Sequence, residues 1–328
     1  MQNKTTRGAR RLFLATGLAL AACGAAFAQG AASFPNKPIR VIVPFTPGGG
    51  SDAAARFFGE KLSTALGQPV LVENRPGGNS GTIGTSLVKA APADGYTLLL
   101  GSTAPLVTNV VMVKELPYDA VKDFKPIAGL TKNMTAIVVP ANSPHQNLAA
   151  LVAASKKTKL NAGTASAGFH LAADWFANLA GFQYTHVPYK GLGQTLTDVA
   201  GGNLDWAIVD LAGATPLLQG NRIRALAVTD DARHPFFPAV PTVKESGYPD
   251  YVYNTWTSFH VRADTPDDVS RKLTDATMKI LQSDAAKEYA QKAGTKLLPL
   301  GPAEFAKYQR EEVERFQKVA ESSGIKAE

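Results

Sequence analysis

Between Ile39 and Asp52 the chain reads Ile-Arg-Val-Ile-Val-Pro-Phe-Thr-Pro-Gly-Gly-Gly-Ser-Asp, an apolar run that stops at a proline, crosses three glycines and ends in a Ser-Asp helix cap. Such a stretch predicts a buried strand, a turn with exposed backbone and a helix N-terminus. Glycines let the backbone approach a ligand closely, and the helix dipole favours negative charge where the first unpaired N–H groups point. An anion is the expected occupant. The plainer alternative is a tight strand-to-helix connection capped by Ser51 or Asp52, worth about 1 kcal/mol. The motif by itself does not separate the two.

The same alternation continues along the chain. Candidate strands are Ile39 to Phe45, Val70 to Glu73, Tyr96 to Leu100, Ala136 to Val139, Asn161 to Gly163, Tyr184 to Val187, Trp206 to Val209 and Ile223 to Val228. Helical spacing between them places Ala55, Phe58, Leu62 and Leu66 on one face, and Leu171, Trp175 and Leu179 on another, as core stripes. Strands alternating with helices predict an α/β fold with largely parallel sheets.

The first residues limit where the protein works. Lys4, Arg7, Arg10 and Arg11 precede the apolar run Leu12 to Ala22, which leads to Ala26-Phe27-Ala28 and Gln29. This is the pattern of a secretory signal peptide over residues 1–28, too short to span a bilayer permanently and cut after Ala28. The single cysteine, Cys23, stands in Leu20-Ala-Ala-Cys-Gly24, which also resembles a lipobox, so a lipid anchor on Cys23 is the alternative. Removing four positive charges and no negative ones takes the formal +7 to +3, so the basic character belongs largely to the leader. The mature chain offers no charge argument for nucleic acid, and no such partner is expected.

Three hundred mature residues point to about two domains. The chain leaves its first set of units near Pro126 to Met134, and an extended aromatic segment near Tyr251 to Arg262 leads into a helical tail. One lobe of residues 29–131 and 257–328, interrupted by a second of residues 132–256, is the expected division. A ligand would then sit between the lobes.

Other chemistries find less support. The turn lacks both nucleotide-loop patterns and no lysine follows it. His145, His170, His186, His234 and His260 lie far apart with no metal-ligand spacing, so no metal and no cofactor are expected. Thr164-Ala-Ser166-Ala-Gly168 misses the nucleophile elbow by its first residue, and a secreted serine hydrolase using Ser166 and His170 stands as the alternative. Polar, small-residue loops follow several strands, at Gly101 to Pro105, at Gly163 to Gly168 and at Asp210, where α/β folds place ligands. His170 would touch an anion or pack locally. Asp210 would receive an ammonium or hydroxyl, or bond its own turn, and Lys190 would attract a carboxylate or lie in solvent.

The order of several motifs adds a family resemblance. Pro44 to Asp52 with Arg56, Val72-Glu-Asn-Arg-Pro-Gly-Gly78, Ala91-Pro-Ala-Asp-Gly-Tyr96, Val187-Pro-Tyr-Lys-Gly191, Ile223-Arg-Ala-Leu-Ala-Val-Thr229 and Val240-Pro-Thr-Val243 resemble those of the Bug receptors, substrate-binding proteins of tripartite tricarboxylate transporters. The resemblance implies a two-lobed, type II-like periplasmic-binding-protein fold that closes on a small carboxylate (a di- or tricarboxylate, acidic amino acid or aromatic acid) without covalent chemistry. It implies a monomer that works with membrane transport subunits or, in some members, as a ligand-sensing partner of a membrane signalling protein. The implied site takes Phe45, Thr46, Pro47, Gly48, Gly49, Ser51 and Asp52 from the first lobe, with Ser102 and Thr103. The second lobe supplies Thr164, Ser166, His170 and Asp210. Contacts would run largely through backbone and ordered water. One departure is a short second-lobe loop, with only Phe169 between the small residues and His170.

Overall fold

The computed structural model describes residues 34–327, so the leader, its cleavage site and Cys23 lie outside the described residues. The first unit is strand β1 (Ile39–Val43), the glycine turn and helix α1 (Gly50–Leu66), followed by β2 (Val70–Asn74), α2 (Thr82–Ala90) and β3 (Thr97–Ser102). β1 lies between β2 and β3 and pairs parallel with both. Its Ile39, Val41, Ile42 and Val43 are fully buried, as a strand covered on both faces requires. Ala55, Phe58 and Leu62 of α1 are also fully buried, and the α1 core includes Leu273 and Leu281 of a later helix.

A 17-residue strand, β4 (Phe124–Pro140), then carries the chain from one lobe to the other. The second lobe follows the same logic: α3 (Leu148–Ser155), β5 (Leu160–Thr164), α4 (Ala167–Ala180), β6 (Tyr184–Pro188), α5 (Leu192–Ala200), β7 (Trp206–Asp210), α6 (Leu211–Gln219) and β8 (Ile223–Val228). The chain returns through β9 (Asn254–Arg262) and ends in α7 (Asp267–Leu281), α8 (Asp284–Ala293), a two-residue β10 (Lys296–Leu297) and α9 (Pro302–Ser322).

β4 and β9 change the expected picture. Pro126 to Met134, expected as a connection between units, is the first part of β4, and the aromatic segment after Tyr251 is mostly β9. The two pair antiparallel from Phe124 with Arg262 to Met134 with Asn254. From Thr135 onward β4 pairs instead with β7 and β8, again antiparallel. The sheets are therefore mixed, not largely parallel: parallel pairs flank a central antiparallel seam, and the strand order is β2-β1-β3-β9-β4-β7-β5-β6. The eight expected strands all exist, with Ala136 to Val139 forming only the last part of β4.

Two smaller expectations also change. The α1 N-cap is Gly49, with neither Ser51 nor Asp52 capping it. Leu179 is 43% exposed at the end of α4, while Leu171 and Trp175 are buried.

The second-lobe core gathers around fully buried Phe176, whose ring meets Phe182, Trp206, Tyr248 and Tyr251 edge-on at centroid distances of 5.3 to 6.2 Å. Removing this ring leaves a cavity the surrounding aromatics fill only in part. Phe176→Ala is expected to cost about 3–5 kcal/mol, read as a lower urea midpoint with an unchanged slope.

Candidate functional site

The carboxyl ends of β1 and β3 lie side by side in one lobe, and those of β5 and β7 in the other. Ser102, ending β3, pairs with Thr257 of β9, and Asp210, ending β7, pairs with Thr135 of β4. Both sets of loops are thus brought to the place where β4 changes partners. A cavity of about 330 Å³ opens there, walled by the glycine turn, Ser102 and Thr103 on one side and by Ser166, Phe169 and Asp210 on the other.

The turn is shaped by its glycines. Gly48 takes φ +89°, a left-handed conformation that favours glycine, while a side chain at Gly49 would meet only open space. The first intrahelical bond of α1 runs from Ala53 N to Gly49 O, so the N–H groups of Gly50, Ser51 and Asp52 precede the helical ladder. Gly48 N–H is already used: it donates to Asp52 Oδ2 at 3.1 Å.

Asp52 is thereby a structural acid. Its carboxylate also accepts from Asn74 Nδ2 at 3.0 Å and pairs with Arg56 at 3.0 Å. Burial would raise its pKa, but these hydrogen bonds and the Arg56 charge together hold it below the usual carboxylate range. Arg56, one turn along the helix, was legible only as part of the family pattern.

Hydroxyls line the wall beside the turn. Thr103 Oγ1 accepts from Trp256 N at 2.9 Å, which leaves its proton to donate elsewhere. Ser102 Oγ is buried without a partner among the described residues, an arrangement a bound molecule or water would satisfy. Asn133, Tyr253, Thr255 and Trp256, from the stretch where the chain crosses between the lobes, also line the cavity. They come from β4 and from the run into β9, the elements hidden in the sequence. Asn133 accepts from Thr295 through its Oδ1, which leaves its NH2 group as the half that can donate.

On the facing lobe, Ser166 caps α4 by accepting from Phe169 N at 3.4 Å. Phe169 lies inside this first turn, 9% exposed, edge-on to Tyr253. The short loop thus puts an aromatic ring where more glycines were expected. Thr164 and His170, with His186, line an adjoining cavity of about 610 Å³ that shares Phe45, Thr46, Ser166 and Lys190 with the first. One residue advances a helix by about 100°, so Phe169 and His170 face different cavities. His170 stacks on His186 at 3.6 Å and pairs with Asp174 at 3.3 Å, while Thr164 Oγ1 bonds His186 Nε2. Ser166 and His170 are committed to different partners and form no nucleophile–base pair. The lobes also touch across this region, where Ala167 N donates to Ser80 Oγ at 2.5 Å.

The pattern of the "Tripartite tricarboxylate transporter family receptor" matches residues 54–325. The chain belongs to this receptor family. It is 32% identical to the protein BugT of Bordetella pertussis over 96% of this chain and 98% of that one. It is 34% identical to a protein of Pseudomonas sp. strain P51, over 95% and 94%. Among solved structures, an adipate-bound protein of R. palustris superposes with a TM-score of 0.87 at 31% identity, covering 90% of this chain and all of that one. The malate-bound MatC of Rhodopseudomonas palustris gives 0.82 at 28%, covering 87% and 99%. The periplasmic binding protein BugD gives 0.85 at 27%, covering 90% and 100%. The two-lobed periplasmic-binding-protein fold follows from these likenesses.

Asp210 is the receptor's other cavity acid, and its surroundings differ from those of Asp52. It caps α6 by accepting from Gly213 N at 3.1 Å, but among the described residues no basic side chain pairs with it. Burial pushes its carboxyl up to about 6, against the lowering effect of the Gly213 and Ala212 N–H groups. Between roughly pH 4 and 6 the folded chain therefore binds this proton more tightly than the unfolded one, and the group's contribution to stability increases as pH falls. Asparagine caps equally well and carries no charge. Asp210→Asn is expected to stabilise the ligand-free protein at pH 7.5 by about 3 kcal/mol, two units at 1.36 kcal/mol each. Urea midpoints should show this gain shrinking as the pH is lowered to 4.5, whereas a gain independent of pH would contradict the assignment.

Proposed function

We propose that this receptor captures a small carboxylate between its lobes and delivers it, as a monomer, to the membrane subunits of a tripartite tricarboxylate transporter. The observation that carries the reading is the pairing, in one cavity, of the free N–H groups at the start of α1 with the unpartnered hydroxyl of Ser102. Both are hydrogen-bond donors in a partly enclosed space, the environment a carboxylate needs. Relatives of the same fold bound to adipate and to malate support the ligand class.

In this reading Phe45, Thr46, Pro47, Gly48, Gly49 and Ser51, with Ser102 and Thr103, meet the ligand from the lobe of residues 29–131 and 257–328. Ser166 and Asp210 meet it from the lobe of residues 132–256, and Asp52 holds the turn in shape. Thr164 and His170 border the adjoining cavity and would act only on a ligand long enough to reach it. The lobes pivot on β4 and on the segment entering β9, and second-lobe contacts make the closed state the better binder. No bond is made or broken. Export by the leader, with cleavage after Ala28, puts the receptor in the periplasm.

Thermal-shift screening with adipate, malate, succinate, citrate, acidic amino acids and aromatic acids tests the class. A ligand at a hundred times its Kd stabilises the folded state by about 2.7 kcal/mol, a shift of several degrees. Gly49→Trp fills open space beside the turn and is expected to abolish the shift while leaving the ligand-free melting temperature within a few degrees. Binding undiminished in that variant would place the ligand elsewhere.

A further inference from the structure

Two carboxylates line the cavity, and they are treated oppositely. The charge of Asp52 is matched by Arg56 and its oxygens are occupied by Gly48, Asn74 and Arg56. Asp210 is 8% exposed and, among the described residues, receives only the backbone N–H groups that open its own helix. A carboxylate kept this dry without a cation is costly, and that cost is recovered only when something positive or proton-donating is brought to it. Lys190 is the only basic side chain on the cavity wall, and it is exposed and makes no ion pair with Asp210 among the described residues.

The position of Asp210 sets the spacing of the missing partner. A Cβ placed on Gly50 would lie 3.1 Å from Asp210 Oδ1, so the acid stands beside the first residue of α1. The anion-attracting pole and the cation-demanding pole are therefore neighbours. A molecule serving both must carry its negative and positive groups close together, as on a single carbon. A bare dicarboxylate would set like charge beside Asp210, and a hydroxyl would supply a hydrogen bond but no neutralising charge.

We propose that the ligand is an α-amino acid whose carboxylate lies at the α1 turn and whose ammonium group is received by Asp210. The inference rests on the carboxylate-receptor reading and narrows it. The buried hydroxyl of Ser102, which lacks a protein partner, lies on the carboxylate side of the pair. The amino acid side chain then extends past Phe169 and Tyr253, whose rings stand edge-on in the same wall.

Isothermal titration of the full mature protein with matched sets of acids tests this. Aspartate, succinate and malate form one set; glutamate, glutarate and 2-hydroxyglutarate a second; phenylalanine, 3-phenylpropanoate and phenyllactate a third, with the remaining L-amino acids screened by thermal shift. At least one amino acid is expected to bind ten-fold or more tightly than its desamino and hydroxy counterparts. Asp210→Asn, which keeps the helix cap, should reduce that preference to three-fold or less. A desamino or hydroxy acid that binds as tightly as the amino acid, or a preference unchanged in Asp210→Asn, overturns the inference. Succinate or another simple acid binding where every amino acid fails leaves the carboxylate receptor standing and removes only the ammonium assignment. If no acid of any class binds, both fall.

Discussion

The antiparallel pairing of β4 with β9 is the constraint on which the rest of the molecule depends. β4 pairs with β9 up to Met134 and with β7 and β8 from Thr135, so one continuous strand belongs to both lobes. That seam brings the carboxyl ends of β1 and β3 opposite those of β5 and β7. In an open α/β sheet these ends bound a crevice, and here two such crevices face each other. The seam is held by polar as well as apolar contacts: Thr131 and Thr257 share a hydroxyl hydrogen bond at 2.7 Å, and just beyond it Thr135 of β4 bonds Thr229, after β8, at 2.5 Å.

Within the cavity, donors and acceptors are arranged unevenly. The start of α1 and the hydroxyls after β3 offer donors, and the acid nearest them, Asp52, is neutralised by Arg56 and fixes the turn. Asp210, from the other lobe, remains an acceptor without a cation. A ligand that answers both sides ties the lobes together, because neither lobe alone satisfies it. On the proposed reading, selectivity resides in the facing lobe and the glycine turn supplies the general attraction to negative charge.

Much of this was legible in the residues. The Ile39–Asp52 unit, the eight strands and the α/β class follow from periodicity and from turn residues. β9 and the first part of β4 were hidden for a physical reason. Thr131, Asn133, Thr257, Ser258 and His260 are polar yet buried, with Thr131 bonded to Thr257, Asn133 to Thr295 and Ser258 to His260, so their segments lack the apolar run that marks a buried strand. With them were hidden Asn133, Tyr253, Thr255 and Trp256 of the cavity wall. Their one signal was the aromatic density after Tyr251, which reads equally well as core. The resemblance sets His170 and Ser166 in one site, but the His170 ring is taken up by His186 and Asp174.

The most direct test of the account is electron density from crystals of the protein purified from the periplasm with whatever ligand it retains. A small carboxylate is expected within hydrogen-bonding reach of the Gly50 and Ser51 N–H groups, directly or through one ordered water, with the second lobe closed over it. Density confined to the cavity beside His170 and His186, with the α1 turn occupied by water alone, would contradict it.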